Sequence, residues 1–499
     1  MSNEAPSLDV ASILEERPES DPTRRIYANR NLDMSSIEVV GFDMDYTLAA
    51  YNQEAMNELS IRATVNKLIQ NKGYPEEIRE ARLEQAFIIR GLVVDKETGN
   101  IFKMDAHRHV GRCYHGYRKV ADEVRLKEYG TRAIKVASDR YHWVDTLFSL
   151  PEATLLAGII EHYEGGGRTL PWSYSQLFDD IRTCIDEAHA DNTLKAEILA
   201  DLPKFIVKDQ DLAPTLHRLR SAGKRLFLLT NSELYYTQGV MSFLLDGAMP
   251  FYRTWEDYFD LVLVRSRKPT FFNKDLPFIE LNRDGESLGE TTNLVRGSLY
   301  QGGNSRTLES QLNVTGNQIL YVGDHMYSDI VKSRKVGVWS TALVVQEMED
   351  NIRLTHENID VLKRLEDLEE AARRTADALN HQMTLLKSLG RMAQLLGRLT
   401  GPESRVIERT KESAKVEVEQ KRRLHEQLIA EIGEIEDRVD GAFNPYWGRV
   451  FREGNEASQF GAQVQSYAGI YTSRVSNFLA YSPNQVFRSP LERMPHERL

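Results

Sequence analysis

The sequence predicts an α/β fold with a doubly wound parallel sheet, a large inserted cap domain and a C-terminal helical hairpin. Three observations predict it: short apolar runs that alternate with helical segments, a long gap between the first two runs, and a heptad-like apolar stripe later in the chain. Apolar runs without polar alternation are typical of parallel strands buried on both faces, and their alternation with helices is typical of open α/β sheets. The runs are residues 37–43, 225–230, 261–264, 318–323 and 338–345.

The gap between the first two runs predicts an inserted domain, because a compact domain does not hold a loop as long as residues 44–224. Patterns inside it predict helices and a β-hairpin that turns at Thr98-Gly99-Asn100. We therefore expect a core of residues 31–50 and 206–350 and a cap, or substrate-specificity domain, of residues 51–205. The helices are expected over 57–72, 155–162, 175–188 and 195–200. Residues 1–30 are expected to form a flexible arm, and a smaller insertion is expected at about 270–316.

Residues 351–440 are predicted to form two long antiparallel helices, separated at Gly401-Pro402. Apolar and small residues recur there at steps of three, four or seven, which favours packing of the two helices against each other; a homo-oligomeric contact is the alternative. The aromatic-rich residues 441–499 are expected to pack on the core. The stripe comprises Leu365, Leu368, Ala372, Leu379, Leu386, Leu389, Ala393 and Leu396, and then Leu424, Leu428, Ile432, Ile435 and Val439.

Composition narrows the class of protein. The chain has 499 residues, of which 41% are hydrophobic and 27% charged, and a net charge of −11. Because nucleic-acid binding needs a basic surface, an acidic chain is a poor candidate for it. The longest apolar stretch, residues 153–160, is far shorter than the ~20 residues that span a bilayer, and the first residues lack the pattern of a secretory signal. We therefore expect a cytoplasmic protein that binds neither nucleic acid nor membranes.

Two acids, Asp43 and Asp45, stand one residue apart at the end of the first predicted strand. The carboxyl ends of strands are where open α/β sheets bind ligands. Because burying two unpaired like charges is costly, such a pair indicates a bound cation. An exposed acidic turn is the alternative.

The next three predicted strands end in groups that suit phosphate and a metal. Thr230-Asn231-Ser232 forms either an anion site or a helix cap, and Lys268 supplies a point charge for a phosphoryl group. Asp324, with Asp329 five residues later, offers the carboxylate oxygens that Mg²⁺ prefers. Each signal is weak alone, but together and in this order they are specific.

This ordered set, with Asp43-Met44-Asp45-Tyr46-Thr47 as an Asp-x-Asp-x-Thr signature, resembles the haloacid dehalogenase superfamily. The resemblance implies that Asp43 is the nucleophile, which forms an aspartyl-phosphate, and that Asp45 is the general acid and base. An acid at the second position after the nucleophile favours a phosphatase over a dehalogenase. The implied phosphate-binding residues are Thr230, Asn231 and Lys268, and the implied Mg²⁺ ligands are Asp43, Asp45 through its backbone carbonyl, Asp324 and Asp329.

Longer strings resemble a narrower group, the cytosolic purine 5′-nucleotidases that prefer IMP and GMP. The resemblance implies purine nucleoside monophosphates as substrates and phosphoric monoester hydrolysis, with phosphate transfer to other nucleosides as an added activity. The strings are residues 43–49, Thr146-Leu147-Phe148-x-Leu150-Pro151-Glu152, Lys268-Pro269-x-Phe271-Phe272, Tyr300-x-Gly302-Gly303 and Trp447-Gly448-x-x-Phe451-Arg452.

The same resemblance implies a base-binding set in the inserted domain. Arg182, Asp186 and His189 share one helix face by their spacing, and they could hydrogen-bond the edge of a 6-oxopurine while Phe148 stacks on its plane. A solvated charged helix face is the alternative. The full set is Phe148, Arg182, Asp186, His189 and Lys195.

The sequence thus predicts a Mg²⁺-dependent 5′-nucleotidase that prefers IMP and GMP. Two other readings stay open: a phosphatase of the same fold for another phosphorylated metabolite, and a scaffold protein with a vestigial phosphatase core. The intact acid pair, Lys268, Asp324 and Asp329 speak against a vestigial core.

Overall fold

A computed structural model describes residues 21–130, 134–396 and 402–490. For residues 395–396 and 402–404 it describes the backbone alone. The chain divides into two compact units. One comprises Met1–Ile352 and Val450–Leu499, and the other comprises Arg353–Arg449.

The first unit is built on a ten-stranded sheet, and all five predicted runs are strands of it. The strand Val39–Phe42 lies between Arg225–Leu229 and Ile319–Gly323 and is parallel to both. The predicted α/β fold with a large parallel sheet is confirmed. In spatial order the strands are Tyr27–Ala28, Ile470–Thr472, Ser340–Val344, Ile319–Gly323, Val39–Phe42, Arg225–Leu229, Leu261–Val264, Leu299–Gly302, Phe278–Leu281 and Ser287–Thr291.

The central strands are apolar on both faces because both faces are covered. All four residues of Val39–Phe42 are buried, as expected for parallel strands between two layers. Gly41 is required there, since an added Cβ would lie 2.1 Å from the ring of Phe227 on the neighbouring strand. The helices of this part are Leu212–Ser221, Leu234–Leu245, Thr270–Asn273, Ser305–Leu312, Lys332–Gly337, Met348–Glu357 and Gln459–Tyr467.

Three regions outside the predicted runs extend the sheet. Residues 270–316, expected to be an insertion, supply Leu299–Gly302, which pairs in parallel with Leu261–Val264. Residues 21–30, expected to belong to a flexible arm, include Tyr27–Ala28, which pairs with Ile470–Thr472. That last strand in turn pairs in parallel with Ser340–Val344. Residues 1–20 lie outside the described part of the chain.

The inserted segment leaves and rejoins the core through one short ladder, in which Ala50–Tyr51 pairs antiparallel with Ile206–Val207. Between these strands lies an antiparallel five-stranded sheet with the order Arg118–Lys119, Val110–His115, Asn100–Met104, Leu92–Asp95 and Tyr141–Val144. The predicted turn at Thr98-Gly99-Asn100 joins two of these strands, Leu92–Asp95 and Asn100–Met104, which pair antiparallel. The helices of the segment are Gln53–Lys72, Asp122–Tyr129, Leu150–Ile160, Tyr174–Ala190, Thr193–Ala200 and Leu202–Phe205.

The second unit contains the helices Ile359–Leu396 and Pro402–Phe443. An ion pair between Arg364 and Glu431 joins the start of the first helix to the later part of the second, so the helices run antiparallel as predicted. The buried residues of their shared core are Leu365, Leu368, Ala372, Ile432, Ile435 and Val439. Leu424, expected in the buried stripe, is 48% exposed, and the side chain of Leu396 lies outside the described residues.

Short segments complete the described structure. Two further ladders pair Leu32–Asp33 with Val486–Phe487 and Arg452–Glu453 with Glu456–Ala457. A π-helical segment, Met326–Val331, follows the strand Ile319–Gly323, and another, Glu161–Gly165, extends the helix Leu150–Ile160.

Candidate active site

Four neighbouring parallel strands end at one edge of the sheet and bring the predicted groups together. Asp43 follows Val39–Phe42, and Thr230 follows Arg225–Leu229. Lys268 lies beyond Leu261–Val264, and Asp324 follows Ile319–Gly323. Because neighbouring parallel strands present their carboxyl ends side by side, residues far apart in sequence meet here.

A cluster of buried carboxylates surrounds the ammonium group of Lys268. Its Nζ lies 2.9 Å from Oδ1 of Asp43 and 2.8 Å from Oδ1 of Asp329, and it donates to the hydroxyl of Tyr321 at 2.9 Å. One carboxylate oxygen each of Asp43, Asp324 and Asp329 lies within 4.8 Å of the others. The lysine therefore bridges two acids of a three-acid cluster.

Burial sets the electrostatics of this cluster. Burial raises the pKa of Asp43 to about 8, against the opposing effect of Lys268, with Asp329 adding to the rise. The pKa of Asp324 is also well above its usual range because the group is buried beside Asp329 and Asp43. Burial favours the neutral form of Lys268, but Asp329 and Asp43 outweigh it and hold the lysine pKa well above its usual range.

The three-acid cluster fits a hard divalent cation. Three buried carboxylates carry more negative charge than Lys268 offsets, and carboxylate oxygens are the ligands that Mg²⁺ prefers. Asp43, Asp324 and Asp329 are the residues that would hold it. The carboxylate of Asp45 is not among them.

Asp45 is instead held by two hydroxyl groups. Tyr51 donates to its Oδ1 at 2.6 Å and Ser232 donates to its Oδ2 at 2.7 Å. The hydroxyl of Tyr236 lies 2.9 Å from that of Tyr51. Burial raises the pKa of Asp45, while the bonds from Tyr51 and Ser232 oppose the rise. The structure thus separates the environments of the two acids of the pair.

Asn231, predicted to bind phosphate, uses its side chain to brace the loop that carries Lys268. Its Oδ1 accepts from Ser266 Oγ at 2.9 Å and from the Lys268 backbone N–H at 2.6 Å. Its Nδ2 donates to the Lys268 carbonyl at 3.1 Å. Thr230 is fully buried, and its hydroxyl accepts from the backbone N–H of Ser232 at 3.1 Å.

A cavity of about 310 Å³ opens beside Asp45 and is lined by both the core and the inserted segment. Three of the five predicted base-binding residues, Phe148, His189 and Lys195, line it. Phe148 packs edge-on against the His189 ring, with 5.7 Å between ring centroids, and Lys195 forms an ion pair with Glu233 of the core. The other lining residues are Asp45, Met56, Leu194, Ile198, Asn231, Ser232 and Tyr236.

Arg182 and Asp186 are not in the lining of this cavity. The Nη1 of Arg182 lies 3.0 Å from Oε2 of Glu152 and 3.2 Å from Nε2 of His142, so the guanidinium faces a buried acid. Burial raises the pKa of Glu152 to about 7 despite Arg182, and burial together with Arg182 lowers the pKa of His142 to about 4. Asp186 is exposed to solvent.

Sequence reasoning missed several groups at this site. Ser232 stands in the motif Thr230-Asn231-Ser232 and could have been found there. Tyr51 and Tyr236 carry no motif signal, because only the folded chain brings them to Asp45. Glu152 closes the string that contains Phe148, yet its pairing with Arg182 depends on how two helices pack.

Among the helices of the described residues, none combines the length and the apolar composition that crossing a membrane requires.

The sequence match to a known family defines the class of this protein as a phosphoric monoester hydrolase. A model described as the 5′ nucleotidase family matches residues 26–499, and the chain belongs to that family. This confirms the resemblance to 5′-nucleotidases and the prediction of an enzyme.

Relatives extend over nearly the whole chain. A 5′-nucleotidase domain-containing protein of Dictyostelium discoideum is 27% identical over 487 residues, which cover 96% of this chain and 76% of that protein. The 5′-nucleotidase domain-containing protein 2 of Rattus norvegicus is 28% identical over 484 residues, which cover 94% of this chain and 79% of that protein. A solved structure described as a haloacid dehalogenase-like hydrolase of Bacteroides fragilis covers 62% of this chain and 88% of its own at 14% identity, with a TM-score of 0.25. The family assignment rests on the sequence match.

Proposed function

We propose that the protein is a Mg²⁺-dependent 5′-nucleotidase that hydrolyses purine nucleoside 5′-monophosphates, with IMP and GMP preferred. The observation that carries the proposal is the contact of Lys268 with both Asp43 and Asp329, beside a cavity that reaches the inserted segment. Residues 51–205 act as the cap over a core of residues 31–50 and 206–350. Cytoplasmic location belongs to the same proposal.

In the first step an oxygen of Asp43 attacks phosphorus and the bond from phosphorus to the 5′-oxygen breaks. Asp45 donates its proton to that oxygen, and the nucleoside leaves. The raised pKa of Asp45 supports this role, since burial favours the protonated acid that the step needs. Tyr51 and Ser232 hold the carboxyl group in place.

In the second step Asp45, now a carboxylate, takes a proton from water as the water oxygen attacks phosphorus. The bond between phosphorus and Asp43 breaks, and phosphate leaves. Lys268 and Thr230 bind the phosphoryl oxygens, and Asn231 keeps the Lys268 loop in place. Mg²⁺ held by Asp43, Asp324 and Asp329 supplies positive charge that offsets the repulsion between carboxylate and phosphate.

The cavity supports a purine as the group next to the phosphate. Its volume of about 310 Å³ lies at the lower end of the range of small-molecule sites, and apolar and aromatic side chains form much of its lining. We assign direct base contact to Phe148, His189 and Lys195, which line the cavity. Arg182 and Asp186 are not in its lining, and we assign them no contact with the base.

A phosphate-release screen over the nucleoside 5′-monophosphates, with Mg²⁺ and with a chelator, tests the proposal. We expect the highest kcat/KM for IMP and GMP with Mg²⁺ and no turnover with the chelator. Asp43→Asn is the matched control, because it keeps the shape of the side chain and removes the attacking charge. A loss of several orders of magnitude is expected for it, and near-normal turnover in this variant would overturn the mechanism.

A further inference from the structure

Arg90 joins the inserted segment to the loop that carries Asp324. It directly precedes Gly91 and the strand Leu92–Asp95, and only 2% of its surface is exposed. Its Nη1 donates to the backbone carbonyl of Asp324 at 3.2 Å. Its Nε and Nη2 donate to the two carboxylate oxygens of Glu347 at 3.0 and 2.6 Å.

The guanidinium has little freedom to move. Its central carbon lies 4.8 Å from the centroid of the Phe460 ring. The ring therefore covers one face of the guanidinium, while the carboxylate of Glu347 binds its edge. The adjoining backbone is equally confined, because a Cβ on Gly91 would lie 2.7 Å from the Cβ of Phe460 and its φ is +92°. A bidentate carboxylate contact is the strongest kind of arginine pairing.

The contact of Arg90 with Asp324 matters because of the role that Asp324 has at the site. Asp324 belongs to the three-acid cluster, where like charges push the acids apart. A bond to its backbone carbonyl fixes the loop without using the carboxylate oxygens, which stay available to a cation. Groups outside the ligand shell that hold metal ligands in place are typically worth about 10–100-fold in metal affinity or activity.

We propose that Arg90 is a positioning residue for the Mg²⁺ ligand Asp324, so that docking of the inserted segment on the core sets the metal affinity of the site. This inference rests on the proposed function. It also gives the cap a role beyond substrate recognition, because a residue of residues 51–205 shapes the metal centre.

The test measures Mg²⁺ binding to the substrate-free protein by calorimetry, and the activation constant for Mg²⁺ beside the KM for IMP. We expect Arg90→Gln to raise the Kd for Mg²⁺ at least tenfold and to raise the Mg²⁺ activation constant in parallel, with the KM for IMP at saturating Mg²⁺ changed less than threefold. A merely structural role would not move the Mg²⁺ constants selectively.

Arg140→Gln is the matched control. Arg140 is also an arginine of the inserted segment with a bidentate pairing, to Asp95 at 2.9 and 2.6 Å, but its ion-pair partners Asp95, Glu97 and Glu128 belong to that same segment. We expect this variant to bind Mg²⁺ as the wild type does. An equal rise of the Kd in both variants would assign the effect to general destabilisation and overturn the inference.

Two further outcomes keep the inference testable. If Arg90→Gln does not fold, Arg90→Lys serves instead: a lysine keeps the charge but cannot bind Glu347 and the Asp324 carbonyl together, and we expect at least a threefold rise of the Kd. An unchanged Kd in a folded Arg90 variant overturns the inference and leaves the proposed function standing. Failure of the wild type to bind Mg²⁺ overturns both.

Discussion

At the scale of single residues, the two acids of the pair differ in what surrounds them. Asp43 faces Lys268 within the acid cluster, whereas Asp45 faces the hydroxyl groups of Tyr51 and Ser232. The proposed nucleophile needs its charge and the proposed general acid needs its proton. Burial raises the pKa of both acids, and at Asp43 the contact with Lys268 opposes that rise. The spacing of the pair was readable from sequence, but the partners of Asp45 were not.

The role of Asp45 predicts a dependence on the leaving group. In Asp45→Asn we expect kcat/KM for IMP to fall by about two to four orders of magnitude, the usual range for loss of a general acid or base. The first step should be much less affected for aryl phosphates, because their leaving groups need no proton. Burst measurements that follow the release of a nitrophenol would check this. Equal losses of the burst rate on both kinds of substrate would remove Asp45 from the acid role.

Glu152 predicts a pH dependence of stability. Burial raises its pKa from 4.5 to about 7, so the folded protein holds the proton more tightly than the unfolded chain. The stability from this group is therefore fully present below pH 4.5 and is lost as the pH rises through 7. Glu152→Gln keeps an acceptor for Arg182 but cannot ionise.

Urea unfolding of both proteins at several pH values checks this difference. Relative to Glu152→Gln, we expect the unfolding free energy of the wild type to fall by about 2–3 kcal/mol between pH 5 and pH 8. The comparison cancels the contributions of titrating groups that do not contact Glu152. Parallel stability curves over this range would contradict the raised pKa.

At the scale of elements, one helix shows what spacing can and cannot predict. Arg182, Asp186 and His189 stand on Tyr174–Ala190 at steps that put them on one face, as the sequence indicated. The face is broad enough to meet two different environments, since His189 lines the cavity while Arg182 meets Glu152. Spacing fixes direction around a helix axis, but tertiary packing decides which neighbour each side chain meets.

In the proposed function, His189 on this helix and Phe148 before it select the base. IMP and GMP carry an acceptor oxygen at position 6, where AMP carries an amine. An N–H donor that lines the cavity, such as that of His189, would pair with the oxygen and would be left unpaired opposite the amine. Because an unpaired buried donor costs about 1–3 kcal/mol, we expect kcat/KM to favour IMP and GMP over AMP at least tenfold.

Variants on the two parts of the helix separate base contact from support. His189→Ala should lower kcat/KM for IMP about tenfold and leave a base-free phosphate ester nearly unchanged, since the imidazole lines the cavity. Arg182→Ala should instead lower the melting temperature, because it leaves the buried Glu152 without its cation. Equal turnover of AMP and IMP by the wild type would show that this cavity does not select the base.

The strands were more predictable than the loops and edges. Val39–Phe42 and Leu261–Val264 are short continuous apolar runs, which are typical of strands covered on both faces. Leu299–Gly302 and Ile470–Thr472 are short and mixed in composition, so nothing local distinguishes them from loops. They become strands because an existing sheet edge offers them hydrogen bonds.

At the scale of the whole molecule, metal binding and stability should be linked. A cation that binds only the folded state stabilises it, by about 2.7 kcal/mol at one hundred times its Kd. We expect Mg²⁺ added after chelation to raise the melting temperature by a few degrees, because it offsets the repulsion within the three-acid cluster. Asp324→Asn should lose most of this shift. Scans in NaCl of equal ionic strength provide the control, and an equal shift there would mean that the effect is not site-specific.

The pairing of Tyr27–Ala28 with Ile470–Thr472 has a consequence for biosynthesis. The two strands are separated in sequence by most of the described chain, so at 5–20 residues per second roughly tens of seconds separate their synthesis. From its own synthesis until that of Ile470–Thr472, the strand Ser340–Val344 lacks the neighbour that later covers it, and a bare sheet edge invites pairing with other chains. The nascent polypeptide thus contains the central strands of the sheet before this edge is closed, and we expect it to bind chaperones until Ile470–Thr472 is translated.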